Sequence, residues 1–330
     1  MINEITILRS IGIILVVFGH SDIGEQNTPA FYSVLEKIVY SFHMPLFIFI
    51  SGFVFILSTG RKENFKYWHF VKSKIFRLLL PSFIVLTAAF FVRAVLSTFK
   101  DDSAGTFTIV NYFKMFFFKE YLPIEFFWFI FTLFNIFLFS GLILYCIKNR
   151  YLMLILTLLL VLLNIQALDI EQFYIKYTCE YFFYFWAGCL SCHFLYNKNE
   201  LLNFMPEKYA LSGGVFFLLI LIILNTMFPG KPIVIIGSAI SGIFMCYFFA
   251  LFLKKYKLYY LDTIGKYSYQ VFLLSWFFHR VVETIGFKIL NLSFSITFPS
   301  SLILAITGPI WFSIMIEIKI PRMKFAIGDK

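Results

Sequence analysis

Arg9 and His20 lie 11 residues apart in a run, Leu8 to His20, made otherwise of apolar and small residues. At 100° per residue that spacing is three turns plus about 20°, so on a helix both side chains share one face, separated by about 16.5 Å along the axis. A guanidinium grips anions, and an imidazole is the side chain whose proton affinity suits general-base work near neutral pH. The plainer explanation is that Arg9 snorkels to one headgroup layer while His20 sits near the opposite interface. A second histidine, His43, opens the run Ser41-Phe42-His43-Met44-Pro45-Leu46-Phe47 that leads to Ser51-Gly52-Phe53. On a helix entering from the other side near Ile38, His43 lies roughly 7 to 8 Å deep, level with His20. The two could share a site, or His43 could simply anchor a helix end at the interface. Either His43 or Ser51 could donate a hydrogen bond to an oxyanion formed beside His20.

Further chemistry-bearing residues follow. Lys74 and Arg77 are three apart before Pro81, close enough on a helix to grip phosphate groups together, or to serve only as a basic stop signal. Glu180 stands in an aromatic run, Tyr181 to Trp186, where a lone carboxylate requires a partner or a wet cavity; Arg9 or another inward basic group is the natural candidate. Ser275, His279 and Arg280 form a second polar cluster. Cys189-x-x-Cys192 reads as helix packing, and no compact set of His, Asp and Glu has metal-ligand spacing, so no metal is expected.

These residues must be positioned by membrane helices. Of 330 residues, 60% are hydrophobic and 14% charged, against about 25% charged in soluble domains. Apolar runs fall near residues 5–21, 38–58, 78–98, 124–147, 151–167, 173–195, 210–228, 233–253, 267–286 and 299–317. The expected fold is therefore an all-α, polytopic bundle of about ten transmembrane helices, a single domain over 1–330 with no extra soluble domain. The run from Ile5 to Phe18 has no basic leader or small-residue cleavage site, so it reads as a mature helix. With the N-terminus inside, 19 of the 28 Lys and Arg fall on inner segments and 9 on outer ones, for net charges of +12 and −1. That bias puts both termini in the cytoplasm. It also explains the overall charge of +10 by topology and anionic lipid, which discards nucleic acid as a partner.

Taken in order, Arg9 with His20, Phe42 to Phe47 with Ser51-Gly52-Phe53, Lys74-Ile75-Phe76-Arg77, and Ile264-Gly265-Lys266-Tyr267-Ser268-Tyr269 resemble the membrane acyltransferase family 3. Within it the chain is most similar to the fucose 4-O-acetylase-like O-acetyltransferases of bacterial surface glycans. The resemblance implies a multi-pass protein of the bacterial inner membrane. It would transfer an acyl group, usually acetyl from cytosolic acetyl-CoA, to a carbohydrate hydroxyl, with no bound cofactor. It also implies that Arg9 and His20 are tied to activity and that Lys74 and Arg77 serve the CoA side. Two positions depart from the family pattern. The basic pair is commonly two arginines, and Lys74 lacks their fork; a histidine often stands where this chain has Ser275, so that role is missing or moved to His279.

The expected mechanism docks CoA phosphates on Lys74, Arg77 and Arg9 and runs the pantetheine arm along the first helix. His20 then takes the proton of the acceptor hydroxyl, or a histidine carries the acyl group in a relay. The rival expectation is a transporter or flippase for a polar solute or lipid-linked sugar, which would also line half a bilayer with polar groups.

Overall fold

The computed structural model describes residues 3–21, 29–59, 64–97, 107–166, 168–196, 207–228 and 230–328. Arg61, Lys62, Lys100, Lys198 and Lys330, which entered the charge count, lie outside them. All regular structure among the described residues is helical. The first third holds α1 (Asn3–Gly19), α2 (Ala30–Tyr40), α3 (His43–Thr59), α4 (Tyr67–Lys74), a π-helical turn (Ile75–Leu79) and α5 (Leu80–Ser97). The middle holds α6 (Ile109–Lys114), α7 (Trp128–Leu138), α8 (Ser140–Cys146), α9 (Arg150–Gln166) and α10 (Ile175–Ser191). Then come α11 (Ala210–Met227), α12 (Pro232–Lys254), α13 (Tyr259–Lys266), α14 (Ser268–Glu283) and α15 (Phe294–Lys319), followed by a 3-10 segment, Pro321–Ile327.

Among the described residues, most of each of the ten apolar runs is helical. Five stretches are both long and apolar enough to cross a bilayer: Ala30–Thr59, Tyr67–Val95, Ala210–Met227, Pro232–Lys254 and Phe294–Lys319. A sixth is available if α7 and α8, bent by 54° across Phe139, form one broken span. The apolar helix α9 has 17 residues. The outward faces confirm what solvent these helices meet. Leu154, Ile155, Leu158, Leu159 and Leu162 of α9 are exposed, as are Phe216, Leu219 and Ile223 of α11. Continuous apolar surface of that extent belongs against lipid.

Inside, the helices approach closely where side chains are missing or small, the usual means of packing in hydrocarbon. At the α3–α10 crossing a Cβ on Gly52 would run into the carbonyl of Phe185, and one on Gly188 into the carbonyl of Phe49. Cys189 sits in the same crossing, its thiol 3.4 Å from the Gly52 carbonyl, which gives the Cys-x-x-Cys pair its packing role. Helix α13 locks onto α1 in the same way. Gly265 rests on the Thr6 carbonyl, where no Cβ would fit, and the buried Ser10 hydroxyl donates to the carbonyls of Thr6 and Leu261. The helix that carries Arg9 is thus held by its neighbour one residue away.

Candidate active site

His20 directly follows α1 and His43 begins α3, and their rings stand 5.6 Å apart between centroids at 74°. Their approach follows from a break between α2 and α3. The chain turns at Ser41–Phe42, and the helix resumes with the Leu46 amide donating to the Phe42 carbonyl at 2.9 Å. Pro45 falls in the first turn of α3, where a missing amide proton costs no helical hydrogen bond. Tyr40, the last residue of α2, then reaches His20, its hydroxyl 2.9 Å from Nδ1. Phe126 closes another side of His20 at 4.7 Å between centroids.

The hydrogen bonds assign the His43 tautomer. His43 Nδ1 is 2.9 Å from the Val39 carbonyl, which can only accept, so Nδ1 carries the proton. Neutral His43 therefore holds a bare lone pair at Nε2. The Nε2 atoms of both His20 and His43 are buried without a hydrogen-bond partner among the described residues. Burying such an atom unpaired costs roughly 1 to 3 kcal/mol, and groups kept so are characteristic of catalytic positions.

A third histidine braces this end of α1. His279 donates from Nε2 to the Val17 carbonyl at 3.1 Å and accepts at Nδ1 from the Ser301 hydroxyl at 2.7 Å. Its ring joins α14 and α15 to the backbone three residues before His20, so its nitrogens are both committed. Ser275 is buried one helical turn before it, and among the described residues makes no hydrogen bond to His20 or His43. Ser51 lies eight residues beyond His43, about 12 Å along α3, and is not brought to the histidine pair.

The opposite end of α1 gathers cations. Lys74 is within electrostatic reach of both Arg9 and Arg77. Its ammonium is turned inward, 4.0 Å from the centroid of the Phe137 ring and 5.1 Å from that of Phe70, a cation–π arrangement. Arg77 is exposed and lies in the π-helical turn Ile75–Leu79. Such turns leave carbonyls displaced from the regular ladder. Here the Leu78 carbonyl takes the Ser82 hydroxyl at 2.7 Å and the Tyr269 hydroxyl at 2.8 Å. Gly328, at φ +76°, packs against the Arg77 carbonyl and the Tyr269 ring, a place and a conformation that exclude a side chain.

Between the two ends the wall is aromatic. Phe47 lies against Gly12 of α1 and 6.1 Å from Phe129, which contacts Phe272 at 5.4 Å; Phe272 meets Phe126 at 5.1 Å.

Glu180 belongs to neither end. Among the described residues, the cations within electrostatic reach of it are Lys176 and Lys119, so of the candidates that the sequence offered it is other basic groups and not Arg9 that approach it. Lys176 is one turn back on the same helix, and the loop before α7 brings Lys119 across. Tyr40 and Phe126 were not singled out for this site by their sequence positions, whereas His279 was named as the residue to which the role missing at Ser275 could have moved. Of the first two, only Tyr40 carried a signal, standing three residues before His43, a spacing that becomes meaningful once the break at Ser41 is known.

A family model described as an acyltransferase domain matches residues 2–316. Comparison with curated proteins and with solved structures finds no match. The match spans nearly the whole chain, including both ends of α1 and every helix that supports them, and it favours acyl transfer over solute transport. The chain belongs to acyltransferase family 3 and is a membrane acyltransferase.

Proposed function

We propose that the protein is an O-acetyltransferase of the bacterial inner membrane, moving acetyl from cytosolic acetyl-CoA to a carbohydrate hydroxyl of a surface or exported glycan. The observation that carries this reading is the division of α1: cations Arg9, Lys74 and Arg77 at one end, the His20–His43 pair at the other. The two are about 16.5 Å apart by helical rise, with the Phe47–Phe129–Phe272 wall between them. A donor that pairs phosphates with a long, largely uncharged arm ending in a thioester matches this order of charge, apolar wall and base.

In this reading, Arg77 and Arg9 hold the CoA phosphates and the thioester reaches the histidine pair. The acceptor oxygen attacks the thioester carbon while its proton passes to the bare Nε2 of His43. With Tyr40 donating to Nδ1, His20 keeps its proton on Nε2 and directs it at the oxyanion. Collapse of the tetrahedral species breaks the C–S bond, and His43 returns the proton to the departing thiolate. The base is therefore His43 and the donor His20, the reverse of the roles that the first-helix spacing suggested.

The test is compositional analysis of cell-surface glycans from cells with and without the gene. Loss of a base-labile ester on deletion, restored by the wild-type gene and not by His43→Gln, supports the proposal. An unchanged ester content contradicts it.

A further inference from the structure

A cavity of about 230 Å³ opens beside the helix bundle, lined by Phe90 and Arg93 of α5, Phe107, and the segment Glu120, Tyr121 and Pro123 ahead of α7. Its place in the molecule is fixed by two ring contacts, with one charge nearby. Lys119, next to Glu120, is within electrostatic reach of His20. Phe126, three residues beyond Pro123, lies against the His20 ring at 4.7 Å between centroids, and three residues of chain span at most about 11 Å. Arg93 lies over the ring of Trp276, 5.3 Å from its centroid, on the helix that carries His279. The cavity therefore belongs to the histidine end of α1, away from Lys74 and Arg77.

Its lining pairs aromatic faces with one cation and one carboxylate. Phe90 is buried, Glu120 is exposed at the rim, and Arg93, Phe107 and Tyr121 are half-buried. A guanidinium supplies only donors and an ionised carboxylate only acceptors, so together they pair with hydroxyls, which need both. The aromatic rings cover the apolar face of a saturated ring. The volume falls below the roughly 300 to 1,000 Å³ of sites for drug-sized ligands, which suits one sugar unit.

We propose that this cavity is the acceptor subsite: it holds a single uncharged sugar unit of the glycan, with Arg93 and Glu120 on its hydroxyls and Tyr121 against its ring, and presents a neighbouring hydroxyl to the His20–His43 pair. This rests on the acyltransferase reading above and assigns residues to the acceptor that the reading leaves open.

The experiment uses the full chain in proteoliposomes with acetyl-CoA and a panel of methyl hexosides and methyl 6-deoxyhexosides, following acetylated glycoside and free CoA separately. Wild type should acetylate at least one glycoside. Glu120→Gln and Arg93→Gln should each raise the KM for that glycoside ten- to hundredfold while the KM for acetyl-CoA moves less than twofold. Tyr121→Phe, which keeps the ring, should bind the glycoside more tightly than Tyr121→Ala. Variants that run as monodisperse as wild type on size exclusion but leave the glycoside KM unchanged overturn the proposal. So does a wild type that cleaves acetyl-CoA yet acetylates none of the panel. A wild type that does not cleave acetyl-CoA overturns the acyltransferase chemistry itself.

Discussion

His43 Nε2 is a buried, bare nitrogen because His43 Nδ1 is bound to the Val39 carbonyl at 2.9 Å, and it stands beside the ring of His20. That relationship divides labour between the two histidines, and its consequences can be measured.

Removing the base should be more costly than removing the donor's orientation. His43→Gln should lower kcat by about 10² to 10⁴, the range for loss of a general base. His20→Gln retains an N–H donor and should lose less. Both proteins should insert normally, since neither residue is a basic topological signal. Steady-state transfer rates at saturating donor and acceptor, normalised to protein in the membrane, decide it; equal losses would mean that the roles are not divided.

Tyr40→Phe tests the tautomer of His20. The hydroxyl sits 2.9 Å from Nδ1, and a neutral hydrogen bond contributes about 0.5 to 1.5 kcal/mol, so kcat should fall roughly two- to tenfold. Loss of Tyr40 should leave the acetyl-CoA KM where it was. A donor-KM effect instead would place Tyr40 against CoA.

At the other end of α1, Arg77 is exposed while the Lys74 ammonium faces the Phe137 ring at 4.0 Å. Arg77→Gln should therefore weaken donor binding more than Lys74→Gln. A charge-assisted phosphate contact contributes roughly 1.5 to 3 kcal/mol, or about ten- to hundredfold in affinity. Lys74→Arg should be tolerated, because a planar guanidinium also stacks on an aromatic face. Donor titrations of the three variants check the order, and an unchanged KM in Arg77→Gln would reduce the pair to a topological signal.

Two glycines should differ sharply in their tolerance of a methyl group. At Gly265 a Cβ meets the Thr6 carbonyl and the Ser10 hydroxyl, whereas at Gly141 the nearest atom is in the Tyr67 ring at 3.7 Å, an ordinary contact. Gly265→Ala should destabilise by about 1 to 3 kcal/mol, the usual cost of overpacking, and Gly141→Ala by much less. Thermal unfolding in detergent is the measurement. A Gly265→Ala protein as stable as wild type would show that α13 does not lock α1.

How much of this was legible in the sequence depended on the range of each interaction. The pairing of His20 with His43 needs only depth along two antiparallel helices, and it was readable. The ten apolar runs were readable for the same reason, since hydrophobic length is local. For Glu180 the sequence left the partner open between Arg9 and another basic group, because its charged neighbours, Lys176 and Lys119, include one from a loop whose path no periodicity describes. Tyr269 and Gly328 were unreadable as supports for Arg77. Their role exists only once the π-helical turn releases the Leu78 carbonyl and the end of the chain folds beneath it.

The most direct measurement is acetyl-CoA thioester cleavage, with an acceptor glycoside present at a fixed concentration, in proteoliposomes holding wild type, His43→Gln or Arg77→Gln, with donor concentration varied. The account predicts saturable cleavage by wild type, a kcat at least a hundredfold lower with little change in KM for His43→Gln, and a raised KM with near-normal kcat for Arg77→Gln. Identical saturation curves for all three proteins would contradict it.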